Sequence, residues 1–225
     1  LMAALRSFPD FPIPGINFID ILPLFQDVKT HEALLVALQL QIELSHQKPD
    51  VIVGLDARGF LFGPSLALRM GASFVPVRKQ GKMPGPCVTA AYEKEYGTDF
   101  FQMQDGAIKP GQKVLIVDDI IATGKHYVPT FSFLAIASSC PIFLLYHANP
   151  ISALRWILAS PHWQPCSSIW LTSIFTGGSA AAAGELVKKL GGETIGYLFI
   201  LEIAFLKGRE KLGGVPVTTL LETDE

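Results

Sequence analysis

The stretch Val114-Leu115-Ile116-Val117-Asp118-Asp119-Ile120-Ile121-Ala122-Thr123-Gly124 decides how this chain is read. Pro110-Gly111 bounds it upstream; an apolar run then reaches two adjacent carboxylates and passes into small residues. A buried parallel strand ending at a ligand-binding edge has this form, because both faces are covered and the ligand sits beyond its carboxyl end. Small residues after the strand let backbone N–H groups approach an anion. Two carboxylates beside such a nest are tolerable when they meet hydroxyls, a metal or water, and a sugar phosphate satisfies both requirements at once.

Composition narrows the class. With 225 residues the chain is long enough for one α/β domain whose core can fold alone. A formal charge of −2 gives no global electrostatic reason to expect nucleic acid or a membrane surface as partner. Cys87, Cys140 and Cys166 form an odd set without metal-ligand spacing, which implies no disulfide framework and favours a reducing, cytoplasmic setting. No basic-then-apolar leader follows Leu1-Met2, so a secretory route is unsupported, and the true N-terminus stays open.

Other segments repeat the pattern of apolar strand followed by small or charged residues. Phe8-Pro9-Asp10-Phe11-Pro12-Ile13-Pro14-Gly15 is too proline-rich for a helix or central strand and reads as an extended arm. Thr30 to about Ser45 has helical periodicity, with Thr30 as a cap and Leu34, Leu35, Leu38 and Ile42 on one stripe. Val51–Leu55 reads as a second buried strand, and its exit, Asp56-Ala57-Arg58-Gly59, again brings small residues and charge to a strand end. A helix is expected from Phe60 to about Met70, then a strand Phe74–Val77 that delivers the cluster Arg78-Lys79-Gln80-Gly81-Lys82. Val88 to Asp99 is polar and poorly periodic, with a hairpin return at Phe100–Met103, and suits a mobile lid. A helix over Ser179–Leu190, a strand over Thr194–Ile203 and an edge segment over Val215–Leu221 complete the pattern.

Several motifs in these elements carry a family resemblance. Val-Asp-Asp-Ile-Ile-Ala-Thr-Gly at 117–124 resembles the phosphoribosyl diphosphate (PRPP) signature of type I phosphoribosyltransferases, and the surrounding sequence resembles the adenine branch of that family. The family's signature continues Ala-Thr-Gly-Gly-Ser/Thr into a helix. In this chain Lys125 follows Gly124, and the continuation Gly177-Gly178-Ser179-Ala180-Ala181 arrives only after 53 extra residues, Lys125 to Gly177.

The resemblance implies roles for particular side chains. Arg58, alone, would be read as a surface charge, but Gly-Leu-Asp-Ala-Arg-Gly-Phe-Leu-Phe-Gly-Pro is similar to the family's diphosphate loop, where a guanidinium fork suits bidentate capture of the anion. Arg78, Lys79 and Lys82 match basic residues that help hold the diphosphate, in a cluster that can reach a neighbouring subunit. Asp118 and Asp119 would hold the ribose hydroxyls directly or through Mg²⁺, the implied cofactor, bound indirectly through substrate or water. Ala122, Thr123 and Gly124, with Gly177, Gly178 and Ser179, would cradle the 5′-phosphate; Thr176 precedes a second copy of the loop, Thr176-Gly177-Gly178-Ser179, and can stand in for Thr123. Tyr-Glu-Lys-Glu-Tyr-Gly makes Glu95, rather than Glu93, the counterpart of the carboxylate that contacts the purine and assists proton transfer at its imidazole nitrogen. Phe18 would stack on adenine from a hood formed by the arm, and Ile203 would face it from the opposite side, with plain core packing as the alternative for Ile203. Many relatives carry Arg where Ile19 stands, so no contact to the base is assigned to Ile19.

The interruption differs from its surroundings. Between Lys125 and Gly177 there is no Asp or Glu, the only cations are Lys125 and Arg155, and Trp156, Trp163 and Trp170 are the chain's three tryptophans. His126 to Leu154 carries no charged residue, but Pro129, Pro141 and Pro150 argue against one smooth membrane-spanning helix. Three readings stay open: a subdomain or partner-binding hairpin, a poorly ordered hydrophobic loop, or a translated intron. The last explains most, because Gly124-Lys125 and Thr176-Gly177 can be encoded across splice donor and acceptor edges and removal restores Ala-Thr-Gly-Gly-Ser in frame.

The expectation is therefore a type I phosphoribosyltransferase-like α/β fold, with a largely parallel central sheet flanked by helices and a small hood from the chain ends. Residues 1–124 and 177–225 would form it, with 125–176 as a hydrophobic insertion. The implied activity converts adenine and PRPP to AMP and diphosphate, in a homodimer, weakened by the split phosphate loop. The alternative is an inactive or regulatory PRPP- or nucleotide-binding variant whose insertion mediates association.

Overall fold

Val51–Leu55 and Val114–Val117 are apolar on both faces, so each must lie between neighbours and under two layers, and they pair with each other in parallel from Val51↔Val114 to Gly54↔Val117. The computed structural model describes residues 1–10, 17–94, 97–121, 178–203 and 208–223. These fall within one compact unit drawn from Leu1–Gly124 and Ser173–Glu225. In chain order the elements are β1 (Arg6–Phe8), β2 (Phe18–Asp20), α1 (Pro23–Gln26), α2 (Val28–Ser45), β3 (Val51–Leu55), α3 (Gly59–Met70) and β4 (Ser73–Lys79). They continue with β5 (Cys87–Lys94), β6 (Gly97–Gln104), β7 (Lys113–Ile121), α4 (Gly178–Lys189), β8 (Glu193–Ile203) and β9 (Val217–Thr223).

The central sheet has seven strands in the order β5-β6-β4-β3-β7-β8-β9. From β4 to β9 every pairing is parallel, whereas β6 joins β4 antiparallel and carries β5 as a hairpin. One core layer sets α4 against Val53, Leu55, Val114, Ile116 and Phe199; the other sets α2 and α3 against Ile52, Leu115, Val117, Leu198 and Ile200. The alternation along β3, β7 and β8 assigns neighbouring residues to opposite layers, which explains why residues 51–55, 114–117 and 198–201 carry no polar side chain.

Four local expectations change. The cap of α2 is Asp27, whose Oδ2 accepts from the Thr30 backbone N–H at 2.8 Å and from Thr30 Oγ1 at 2.9 Å, so the helix begins two residues before Thr30. Leu34, Leu35, Leu38 and Ile42 are buried as expected. Strand β4 runs through Lys79, because β6 pairs with it at Arg78↔Gln102 and Lys79↔Phe101, so both cations lie on a strand instead of a loop. The segment read as irregular is the regular β5–β6 hairpin: cross-strand pairing from Cys87↔Gln104 to Lys94↔Gly97 overrides its weak alternation. Finally, β7 continues to Ile121, in register with Glu202 of β8, so Asp118 and Asp119 sit inside the strand and not at its exit.

Candidate active site

Parallel pairing places the carboxyl ends of β3, β4, β7 and β8 on one edge of the sheet, and the loops and helices that follow must turn there. After β3 the chain bends through Asp56 and the cis Asp56–Ala57 peptide to Arg58 and enters α3 at Gly59. The Asp56 N–H donates to Val77 O of β4 at 3.0 Å, fixing this loop to its neighbour. Gly59 admits a close approach: a Cβ there would stand 2.8 Å from Val117 O, so only glycine lets α3 start against β7.

Arg58 reaches across to the acid pair. Its Nε lies 2.7 Å from Asp119 Oδ2, an ion pair whose N–H is not directed along a hydrogen-bond axis. Asp119 is fully buried and Asp118 is 2% exposed. Asp118 Oδ1 and Asp119 Oδ1 have no hydrogen-bond partner among the described residues. Burial pushes the Asp118 carboxyl well up from its ordinary range, the neighbouring Asp119 pushes it further, and Arg58 opposes both. Burial likewise raises Asp119, against the pull of Arg58. Buried carboxylate oxygens without donors are an expensive feature for a merely structural position, and hydroxyls or metal-bound water are the groups that relieve them.

The helix after the interruption arrives at the same edge. The carboxyl end of α4 is tied to the amino end of β7, with Gly111 N–H donating to Gly191 O at 2.8 Å and Glu193 N–H to Gln112 O at 2.9 Å. A helix of twelve residues spans about 18 Å, close to the length of β7 up to its acids, so the amino end of α4 lies at the carboxyl edge of the sheet. Gly178 and Ser179 open that helix, and Ser179 is buried.

The basic cluster is held by acids. Arg78 Nε donates to Asp56 Oδ2 at 2.8 Å and its Nη1 to Lys82 O at 3.2 Å. Lys79 Nζ stands 3.9 Å from Asp99 Oδ2, which also accepts from the Tyr92 hydroxyl at 3.0 Å, so the β5–β6 hairpin is linked to the strand that carries the cations. Lys82 is exposed just beyond β4. On the other side, β2 pairs with β1 from Arg6↔Asp20 to Phe8↔Phe18, forming a separate two-stranded sheet. Ile19 of β2 and Ile203 of β8 both pack against a small cluster of Ile120 and Leu201, so the strand bearing Phe18 and the end of β8 share one apolar patch next to the acids. Glu95, Ala122, Thr123, Gly124, Thr176 and Gly177 lie outside the described residues.

The family description "Phosphoribosyl transferase domain" matches residues 28–143. The curated adenine phosphoribosyltransferase of Yarrowia lipolytica is 47% identical, over 100% of this chain and 95% of its own length. Adenine phosphoribosyltransferase 1 of Saccharomyces cerevisiae is 41% identical, over 100% of this chain and 92% of its own length. Among solved structures, the Saccharomyces cerevisiae adenine phosphoribosyltransferase, complexed with an imino-altritol bisphosphate and adenine, aligns with a TM-score of 0.72 and 42% identity, covering 98% of this chain and 96% of that one. The enzyme from Thermoanaerobacter pseudethanolicus aligns with a TM-score of 0.71 and 33% identity, covering 99% and 97%. This chain belongs to the adenine phosphoribosyltransferase family. It is thus a transferase by class, and the family's type I fold accounts for the seven-stranded sheet with helices on both faces.

The fold also brings together residues whose partnership has no signal in the sequence. Asp56 stood inside the quoted diphosphate-loop motif, yet only the fold shows that it orients Arg78. Tyr92 and Asp99 lie in the segment expected to form a mobile lid, and their bond follows from the hairpin register that sets them opposite each other. Glu202 and Arg209 gave no sequence signal of being partners. Among the described residues no three His, Cys, Asp or Glu side chains form a metal cage, and no helix is long and apolar enough to cross a membrane.

Proposed function

We propose that this transferase joins adenine to the 5-phosphoribosyl group of PRPP, giving AMP and diphosphate. The buried acid pair with donor-free oxygens, set against Arg58 at the carboxyl edge of the sheet, carries this reading. The sugar's vicinal hydroxyls can donate to those oxygens, while Arg58, Arg78, Lys79 and Lys82 meet the diphosphate. Gly178 and Ser179 bring the amino end of α4 toward the 5′-phosphate, where orphan N–H groups and the helix dipole favour an anion. Ala122, Thr123, Gly124, Thr176 and Gly177 would complete that cradle. Phe18 and Ile203 would enclose the purine.

In the reaction the bond from the anomeric carbon to the diphosphate oxygen breaks, and diphosphate leaves with the electron pair. The purine imidazole nitrogen bonds to the same carbon as positive charge develops on the sugar, and Glu95 accepts the proton that the imidazole ring gives up. Orientation and fixed charge dominate such a reaction, so Arg58 and the basic strand stabilise the leaving group while the acids hold the ribose face. The donor-free oxygens of Asp118 and Asp119 also suit a Mg²⁺ held indirectly, through substrate hydroxyls or water, and the ion would neutralise charge on the departing diphosphate.

We further propose a homodimer in the cytoplasm. An exposed apolar stripe on α2 supports the dimer, with Val28 85%, Leu40 52% and Leu44 82% exposed beside Val36. Incubating radiolabelled adenine with the purified chain, with and without PRPP, tests the activity: label should enter AMP only when PRPP is present. Label that stays in adenine in both arms would favour the inactive or regulatory variant. Gel filtration should give a compact dimer, and a Leu44→Glu variant should run as a monomer.

A further inference from the structure

The end of β8 carries a buried charge that the reaction itself does not use. Glu202 is 5% exposed, pairs in register with Ile121 on one side and with Glu222 on the other, and immediately precedes Ile203. A carboxylate so placed needs a cation, and the chain supplies one from beyond the strand. Arg209, in the short 3₁₀ turn Gly208–Leu212, donates from Nε to Glu202 Oε1 at 2.8 Å and Oε2 at 3.0 Å, with a further contact from Nη2 to Oε2. Its Nη1 donates to Val217 O of β9 at 2.8 Å, and its Nη2 to Thr219 Oγ1 at 3.2 Å. Thr219 Oγ1 in turn donates to Glu202 Oε2 at 3.2 Å. One planar guanidinium therefore ties together the end of β8, the start of β9 and the 3₁₀ turn Gly208–Leu212.

What this lock fixes in space is Ile203. Ile203 packs against Ile120 and Leu201, the cluster that also receives Ile19 of the arm strand. Moving the end of β8 by a fraction of an ångström would shift Ile203 relative to Phe18, and with it the width of the space the two are proposed to offer the base. We propose that Arg209 and Glu202 are positioning residues that set the purine slot of this transferase by holding Ile203. Neither touches substrate. This rests on the assignment of Phe18 and Ile203 to the base.

The test compares full-length Ile203→Ala, Glu202→Gln, Arg209→Ala and Arg209→Lys with the unaltered chain, reading KM for adenine and for PRPP, kcat, AMP binding by calorimetry and thermal melting. Glu202→Gln keeps shape while removing charge, so it guards against simple failure to fold. Glu202→Gln and Arg209→Ala should each raise KM for adenine and weaken AMP binding about fivefold to tenfold, with KM for PRPP within about twofold, a fraction of the roughly hundredfold that a misplacement of about 1 Å can cost. Arg209→Lys should recover part of the loss, since it keeps the charge but not the fork. If Ile203→Ala raises KM for adenine while Glu202→Gln and Arg209→Ala only lower the melting temperature, the pair is structural and the inference falls with the base site intact. An unchanged KM for adenine in Ile203→Ala would overturn the base-site assignment, and the positioning role with it.

Discussion

Arg58 Nε stands 2.7 Å from Asp119 Oδ2, and this contact makes the two adjacent acids of β7 unequal. Both acids are buried with an Oδ1 that lacks a donor among the described residues, but only Asp119 has a cation directly against it. The contact also couples the loop after β3 to the interior of β7, so Arg58 and the acids proposed to hold diphosphate and sugar share one frame. Such preorganisation is worth most where the reaction depends on orientation and charge.

Asp118 should therefore trade stability for binding. Its carboxyl is raised by burial, so the stability it contributes is fully present below the ordinary carboxylate pKa and is lost as pH rises through the raised value. Asp118→Asn removes that loss. Melting of the variant should exceed that of the parent at pH 8 by about 2–4 °C, or roughly 1 kcal/mol for a chain of this size, with the difference vanishing near pH 4. The same variant should raise KM for PRPP by about tenfold or more, the scale of a lost hydrogen bond to a charged group.

Asp56 orients Arg78 from a partly exposed position, the two side chains being 22% and 38% exposed. Their pair should add less than about 1 kcal/mol to stability, because solvent screens it. Asp56→Asn is therefore expected to melt within a few degrees of the parent while raising KM for PRPP several-fold. A large fall in melting temperature would show that the pair supports the fold instead.

Gly59→Ala tests the packing that delivers Arg58. The added Cβ would lie 2.8 Å from Val117 O, a backbone atom that cannot rotate away. Overpacking of this kind costs about 1–3 kcal/mol, so melting should fall by several degrees and PRPP affinity with it. Unchanged melting would mean that α3 can slide away from β7.

Deleting Lys125–Gly177 rejoins Ala122-Thr123-Gly124 to Gly178-Ser179. We expect the deleted protein to turn over faster and aggregate less than the full chain, because closure of a long loop adds only a logarithmic penalty, whereas a sequence with three tryptophans and only Lys125 and Arg155 as charges favours association through apolar groups. Equal turnover and solubility of the two purified proteins would refute this. Reading the mature transcript through codons 120–180 separately tests the translated-intron origin.

Much of this protein was legible in the sequence, since a strand buried on both faces declares itself by continuous apolar residues and a helix by its stripe. Val51–Leu55, Val114–Val117 and the Leu34, Leu35, Leu38 and Ile42 face needed nothing more. Arg58, Asp118 and Asp119 were singled out by the family motifs around them, since residue type alone would leave Arg58 as a surface charge. The tertiary structure alone decided which charges meet: Arg58 with Asp119, Arg78 with Asp56, Arg209 with Glu202. Those pairings join residues from different strands and turns, and sheet order and register, which no local pattern encodes, bring them within reach.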